Sequence, residues 1–96
     1  MRIEWDPAKN ASNQEKHGVS FVDVEELFKS GDDYLEIFDE AHSDQEDRFI
    51  AIGPVEVGVL YVVFTERDGD TIRIISARRA TKSETDRYHK HMEQQR

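Results

Sequence analysis

The sequence contains no cysteine, which excludes a disulfide framework, a thiolate nucleophile and a thiolate metal site, and is compatible with a reducing cytosol. It has no apolar run of membrane-spanning length, and its opening MRIEWDPAKN lacks the hydrophobic core of a secretory signal. Internal repeats, low-complexity stretches and linkers are absent too, so residues 1–96 read as one domain with room for a single core. A soluble cytoplasmic domain with no membrane association is the expectation. Positive charge is scarce: 13 Lys and Arg stand against 21 Asp and Glu, a formal net charge of −8. Such a surface repels nucleic acid at long range, which argues against non-specific duplex binding. Any polyanion must meet a local cationic patch, and a basic protein partner is favoured. Only 36% of the residues are hydrophobic, yet one Trp, five Phe and three Tyr supply bulk for a compact interior, which argues against disorder.

What is present is clear punctuation. RIEW reads as a short strand with Ile3 and Trp5 on one face. Asp6 before Pro7 is a strong helix start, with Asp as N-cap and Pro at the first helical position. That helix runs through AKNASNQEKH and stops at Gly18, a natural left-handed C-cap. It has only Ala8 and Ala11 to pack, which places it on the surface. Ser20 with Asp23 opens a second helix by a variant of the capping box. Its apolar stripe is Phe21, Val24, Leu27 and Phe28, and Ser30-Gly31 ends it. The second half changes period. YLEIF, RFIAIG, VGVLYVVFTE and TIRIISA read as strands, and DEAHSDQED as a charged connection after the first of them. Asp68-Gly69 is a hairpin signal, and the stretch from Val59 to Phe64, apolar on both faces, suits a central strand. Thr81 with Glu84 is a capping box that opens a last helix. The order β-α-α-β-β-β-β-α predicts an α+β domain: an antiparallel sheet, helices packed on one face, and a second face available to stay open.

On so acidic a chain, RIISARRA poses a question, since Arg73, Arg78 and Arg79 fall within eight positions. Strict alternation puts Arg73, Ile75, Ala77 and Arg79 on one face and Ile72, Ile74, Ser76 and Arg78 on the other. Arg78 and Arg79 lie where the strand gives way to a capped helix. Anions collect at helix N-termini, and a guanidinium grips phosphate with a two-pronged fork. Pairing with carboxylates elsewhere is the competing reading, but clustering at a helix entrance favours phosphate. Lys16 and His17 close the first helix, where they either complement its dipole or act as a cationic proton donor. In AHSDQEDR, His42 with Asp44 and Glu46 is a weak metal candidate, because no second histidine stands at helical spacing nearby. A better reading puts His42 at the mouth of the sheet and Arg48 on the surface that carries the arginines; a solvated loop with Arg48 paired to a neighbouring acid competes with it. His89 and His91 are two apart on a helix and make a poor chelate. Tyr88 either packs under the sheet or reaches the arginine cluster. No metal or other cofactor is expected.

The segments EWDPAKNASNQEKHGVSF, HSDQEDRFIAIG and RIISARRATKSE together resemble the BrnT family of bacterial type II toxins, in that family's order and spacing from Trp5 to about Tyr88. Gln14 stands where members more often carry an apolar residue, Val24 where a small one is usual, and the tail beyond Tyr88 matches no motif. The resemblance implies a RelE-like fold and ribonuclease activity. It also implies a BrnA-type antitoxin with a ribbon-helix-helix domain, which neutralises the toxin in a hetero-oligomer and represses their shared operon. Carried over position by position, the family's basic and polar motif residues are Lys16, His17, His42, Arg48, Arg73, Ser76, Arg78 and Arg79. The anion then reads as an RNA phosphodiester. Lys16, His17, His42, Arg48 and Arg78 are the catalytic candidates, and Arg73, Ser76, Arg79 and Tyr88 the substrate-binding ones. Cleavage without metal needs a base for the 2′-hydroxyl, cations for the phosphorane and an acid for the leaving 5′-oxygen. Which histidine is base and which is acid stays open. The other function class is a catalytically weak module that binds its antitoxin and completes a repressor.

Overall fold

Capping residues set the helix boundaries where the sequence places them. In the computed structural model, which describes residues 1–30, 33–44 and 46–95, strand β1 (Arg2–Glu4) leads into helix α1 (Pro7–His17). The Asp6 side chain accepts from Ala8 N–H at 2.9 Å. Gly18 closes the helix at φ 68°, a left-handed position that costs glycine no Cβ clash. Helix α2 (Phe21–Lys29) starts at Ser20, whose hydroxyl accepts from Val22 N–H. It ends with Ser30 as its C-cap, and the expected contribution of Gly31 lies outside the described residues. Strand β2 (Leu35–Phe38) follows, then a single 3₁₀ turn (Glu40–His42) inside the charged connection. Strands β3 (Arg48–Val55), β4 (Gly58–Arg67) and β5 (Thr71–Arg79) complete the sheet before helix α3 (Lys82–Gln94). Asp68 and Gly69 turn the chain between β4 and β5, both at positive φ (54° and 76°).

Class and element order are as the sequence predicts; two details differ. The strand order is β1-β5-β4-β3-β2, antiparallel from β2 to β5, but β1 lies parallel to the first residues of β5. The helices also divide between the two faces. Val24, Leu27 and Phe28 of α2 pack with Phe21 on Ala51, Leu60, Val62, Phe64, Ile72, Ile74 and Ala77. On the opposite face, Tyr88 of α3 packs with Leu35, Ile50 and Ile52, flanked by Val59 and Tyr61. The cause is the composition of the central strands. β3 and β4 are apolar on both faces, so burying only one would leave Ile50, Ile52 and Val59 in water, at about 25 cal/mol per Å² of apolar surface. Helix α3 covers that second layer over part of its length. Tyr88 is 8% exposed, with its hydroxyl 3.4 Å from the carbonyl of Asp33. It is a core residue of that second layer and packs under the sheet.

The polar helix α1 is held by an amide. β1 reaches only as far as Arg73 along β5, so the edge of β5 beyond it needs another partner. Asn13, 6% exposed, supplies one. Its side chain accepts from Ala77 N–H at 3.0 Å and donates to Ala77 C=O at 2.8 Å and to Val19 C=O at 2.9 Å. Asn10 accepts from Phe21 N–H at 2.9 Å and fixes the turn into α2. These bonds satisfy backbone groups that an uncovered sheet edge would leave to water.

Candidate active site

The expected alternation along RIISARRA breaks in its middle. Val63 pairs with Ser76 and Phe64 with Ile74, which leaves Ile75 as the extra residue of a β-bulge. Ile72, Ile74 and Ala77 can therefore all enter the core beneath α1 and α2. The bulge also reassigns the arginines. Arg73 and Arg78 share the α3 face with Ser76, whereas the earlier alternation separates them. Arg79 follows Ala77 to the other face, where its guanidinium donates to the carbonyl of Val57.

The fork of Arg78 is already filled. Its two terminal nitrogens donate to Glu84 Oε1 and Oε2 at 2.8 and 2.9 Å, and the guanidinium lies 3.9 Å above the ring of Tyr61. Glu84 also accepts from Thr81 N–H at 2.8 Å, while its own N–H donates to the Thr81 hydroxyl at 3.2 Å. The capping box of the sequence is thus present, and its carboxylate occupies the anion position at the helix N-terminus. The hydrogen bonds from Arg78, and behind them those from Thr81, hold Glu84 down to a pKa of about 2. The same bond raises that of Arg78. Arg73 also has a partner, Glu4 at 3.6 Å. Each arginine of RIISARRA therefore has an acceptor within the protein.

Four basic side chains border open cavities instead. Lys9, Lys16, His17 and Arg48 make no side-chain ion pair or hydrogen bond among the described residues, a state they share with Arg2, Arg87 and Lys90 away from the cavities. Lys16 and His17 meet Ser76 around an open cavity of about 230 Å³, whose wall is completed by Lys9, Ser12, Asn13 and Ile75. Arg48 and His42 meet around a second cavity of about 300 Å³, lined also by Ala41, Asp44 and Glu46. Local bonds set that second group in place. Asp39 N–H donates to Arg48 C=O at 2.8 Å, and Arg48 N–H donates to the Ser43 hydroxyl at 3.0 Å. The His42 ring turns Nδ1 to the Asp39 carboxylate, 3.0 and 3.1 Å from its oxygens, which leaves Nε2 facing outward. The acid that engages His42 is Asp39, not Asp44 or Glu46, and no group of three possible metal ligands occurs among the described residues.

Sheet register relates the two cavities. Arg48, Thr65 and Arg73 form one row across β3, β4 and β5, and Ser76 stands beside Val63, two positions along β4. All lie on the α3 face, beyond the part covered by Tyr88. Thr65, at the centre of the row, is 2% exposed, and its hydroxyl has no partner among the described residues. Of the candidates named from sequence, the structure brings Lys16, His17 and Ser76 together, and His42 and Arg48 together, with Arg73 between the groups. It sets Arg79 and Tyr88 apart and commits Arg78 to Glu84. Sequence reasoning missed Lys9 and Ser12, although both stand at helical spacing from Lys16.

The comparisons with known proteins bear on family and fold. The family described as the ribonuclease toxin BrnT of type II toxin-antitoxin systems matches residues 5–84. The crystal structure of the Brucella abortus ribonuclease toxin BrnT superposes with a TM-score of 0.65 at 27% identity, covering 85% of this chain and 99% of that one. Comparison with curated proteins returns no match. The chain belongs to the BrnT family of ribonuclease toxins from type II toxin-antitoxin systems.

Proposed function

We propose that the protein is an endoribonuclease toxin that cuts RNA without metal on the α3 face of its sheet, between the Lys16–His17 and His42–Arg48 groups. The observation that carries this reading is the set of basic side chains without acid partners that border cavities. On a chain of net charge −8, Lys16, His17 and Arg48 make no ion pair and border cavities on either side of one row of the sheet. Two strand spacings separate β3 from β5, about 10 Å, so a phosphodiester laid on the row has a histidine on each flank. Transesterification by the 2′-hydroxyl needs that arrangement, with a base on the attacking side and an acid on the leaving side of phosphorus. Arg48 stabilises the phosphorane charge, Arg73 supports it, and Ser76 and Lys16 orient the phosphate oxygens. Arg78 acts one step removed, by fixing Tyr61 and the start of α3.

A BrnA-type antitoxin with a ribbon-helix-helix domain neutralises the protein in the cytoplasm by covering this surface. The acidic exterior suits a basic partner, and the two form a hetero-oligomer. The alternative reading, a module whose main work is to bind its antitoxin and complete a repressor, is favoured by one observation: the Arg78 fork is occupied by Glu84. Incubation of the purified toxin with RNA in excess chelator separates them. Cleavage is expected to persist, and His17→Ala to lose about 10²–10⁴ in rate. Intact RNA across a range of pH contradicts the enzyme reading, and cleavage that needs an added divalent ion contradicts the metal-free mechanism.

A further inference from the structure

Helix α1 carries more cationic surface into its cavity than the proposed chemistry uses. We propose that Lys9 and Ser12 form a second phosphate subsite, which takes the RNA backbone phosphate of the nucleotide next to the scissile bond. The inference rests on the ribonuclease reading above and extends it from one phosphate to a track. Lys9, Ser12 and Lys16 stand at positions i, i+3 and i+7 and line the same cavity as Ile75 and Ser76. From Lys9 to Lys16 the helix rises about 10.5 Å, a span longer than a single phosphate group requires.

Three further observations point to an anion. No carboxylate lines the cavity; its polar walls are two lysines, a histidine, two hydroxyls and the Asn13 amide. Two lysines elsewhere on the helices are neutralised by acids one turn away, Lys29 by Glu25 and Lys82 by Asp86, each at 3.2 Å; Lys90 is unpaired but borders no such cavity. Lys9 has Asn13 one turn on and Asp6 three positions back, but Asp6 is engaged as the N-cap by Ala8 N–H and makes no ion pair with Lys9; Lys16 has Asn13 and Ser12 one turn back and no acid there. The helix that presents them is also fixed. Asn13 ties α1 to Ala77 in both directions, so the lysines meet a ligand from a rigid support with little ordering left to do. This placement accounts for a helix so poor in apolar residues.

The test uses a fluorescent 2′-O-methyl oligoribonucleotide, which keeps every phosphate but lacks the attacking hydroxyl, and measures its binding by anisotropy across a salt series. Lys9→Ala is expected to weaken binding about three- to tenfold and to lower the slope of log K against log salt by about 0.7, the value for one single-strand phosphate contact. Lys9→Glu weakens binding further, and Lys29→Ala, which does not line the cavity and is paired with Glu25, binds like wild type. With cleavable RNA the loss falls on KM rather than kcat. Thermal melts establish that each variant is folded, as the exposure of Lys9 leads one to expect. A wild type that cleaves RNA while Lys9→Ala keeps its affinity and salt slope overturns the subsite and leaves the function standing. So does a cleaving wild type that does not bind the probe. Failure of the wild type to cleave RNA at all overturns the function itself.

Discussion

Arg78 shows how a residue can look like a phosphate clamp in sequence and hold a carboxylate of its own chain in structure. An arginine at a strand end, shortly before a capped helix, has the features of a phosphate clamp, yet the third residue of that cap, Glu84, supplies the anion. The pH consequence follows from its direction. Glu84 has an ordinary value of 4.5 and sits at about 2 in the folded state. Its contribution to stability is complete above about pH 4.5 and is lost as pH falls toward 2. Arg78→Ala removes the largest cause of that shift. The variant is expected to lose about 1–3 kcal/mol at neutral pH, as for a hydrogen bond to a charged group. Its stability should then fall less steeply than that of wild type between pH 5 and pH 2. Urea titrations at the two ends of that window measure both effects. A variant as stable as wild type at pH 7, with the same acid dependence, places the Arg78–Glu84 pair outside the folding energetics.

At the scale of elements, α1 depends on one buried side chain. Asn13 is the partner that the edge of β5 would otherwise lack, and its amide both donates to and accepts from Ala77. Asn13→Ala leaves buried backbone groups of Ala77 and Val19 unpaired and is expected to cost about 2–4 kcal/mol, read as a lower urea midpoint with an unchanged slope. A loss below about 0.5 kcal/mol, the range of ordinary surface changes, shows that α1 is held by other contacts. The sequence made the helix boundaries legible because Asp6, Gly18, Ser20 and Thr81 are local signals that act within a turn of the chain. It made the hairpin legible through Asp68-Gly69. The bulge at Ile75 has no such local mark, since it is decided by the need to bury Ile74 and Ala77 on the same face. One unpaired residue was enough to exchange the predicted neighbours of Arg73. The sidedness of α3 was open to inference: a central strand apolar on both faces requires cover on both.

Across the whole molecule, a net charge of −8 surrounds a local group of basic side chains without acid partners on α1 and β3. Under the proposed function, repulsion at long range keeps non-specific nucleic acid away, and those side chains are left for a substrate that reaches the sheet. The candidate residues His17, His42, Arg48 and Ser76 were visible in sequence as motif positions, but their grouping was not. Pairing across β3, β4 and β5 joins Arg48 to Arg73, while the α1–β5 contact joins Lys16 and His17 to Ser76. Both relations are long-range and leave no trace in spacing. On them rests the proposal that Arg48, and not Arg78, is the central cation. The direct measurement is the single-turnover rate of RNA cleavage by Arg48→Ala in excess chelator, on protein shown by circular dichroism to be folded. A loss of about 10²–10³ is expected, as for removal of a group that stabilises transition-state charge. A folded Arg48→Ala that cuts RNA within about threefold of wild type, far short of that loss, puts the catalytic cation elsewhere and contradicts the proposed site.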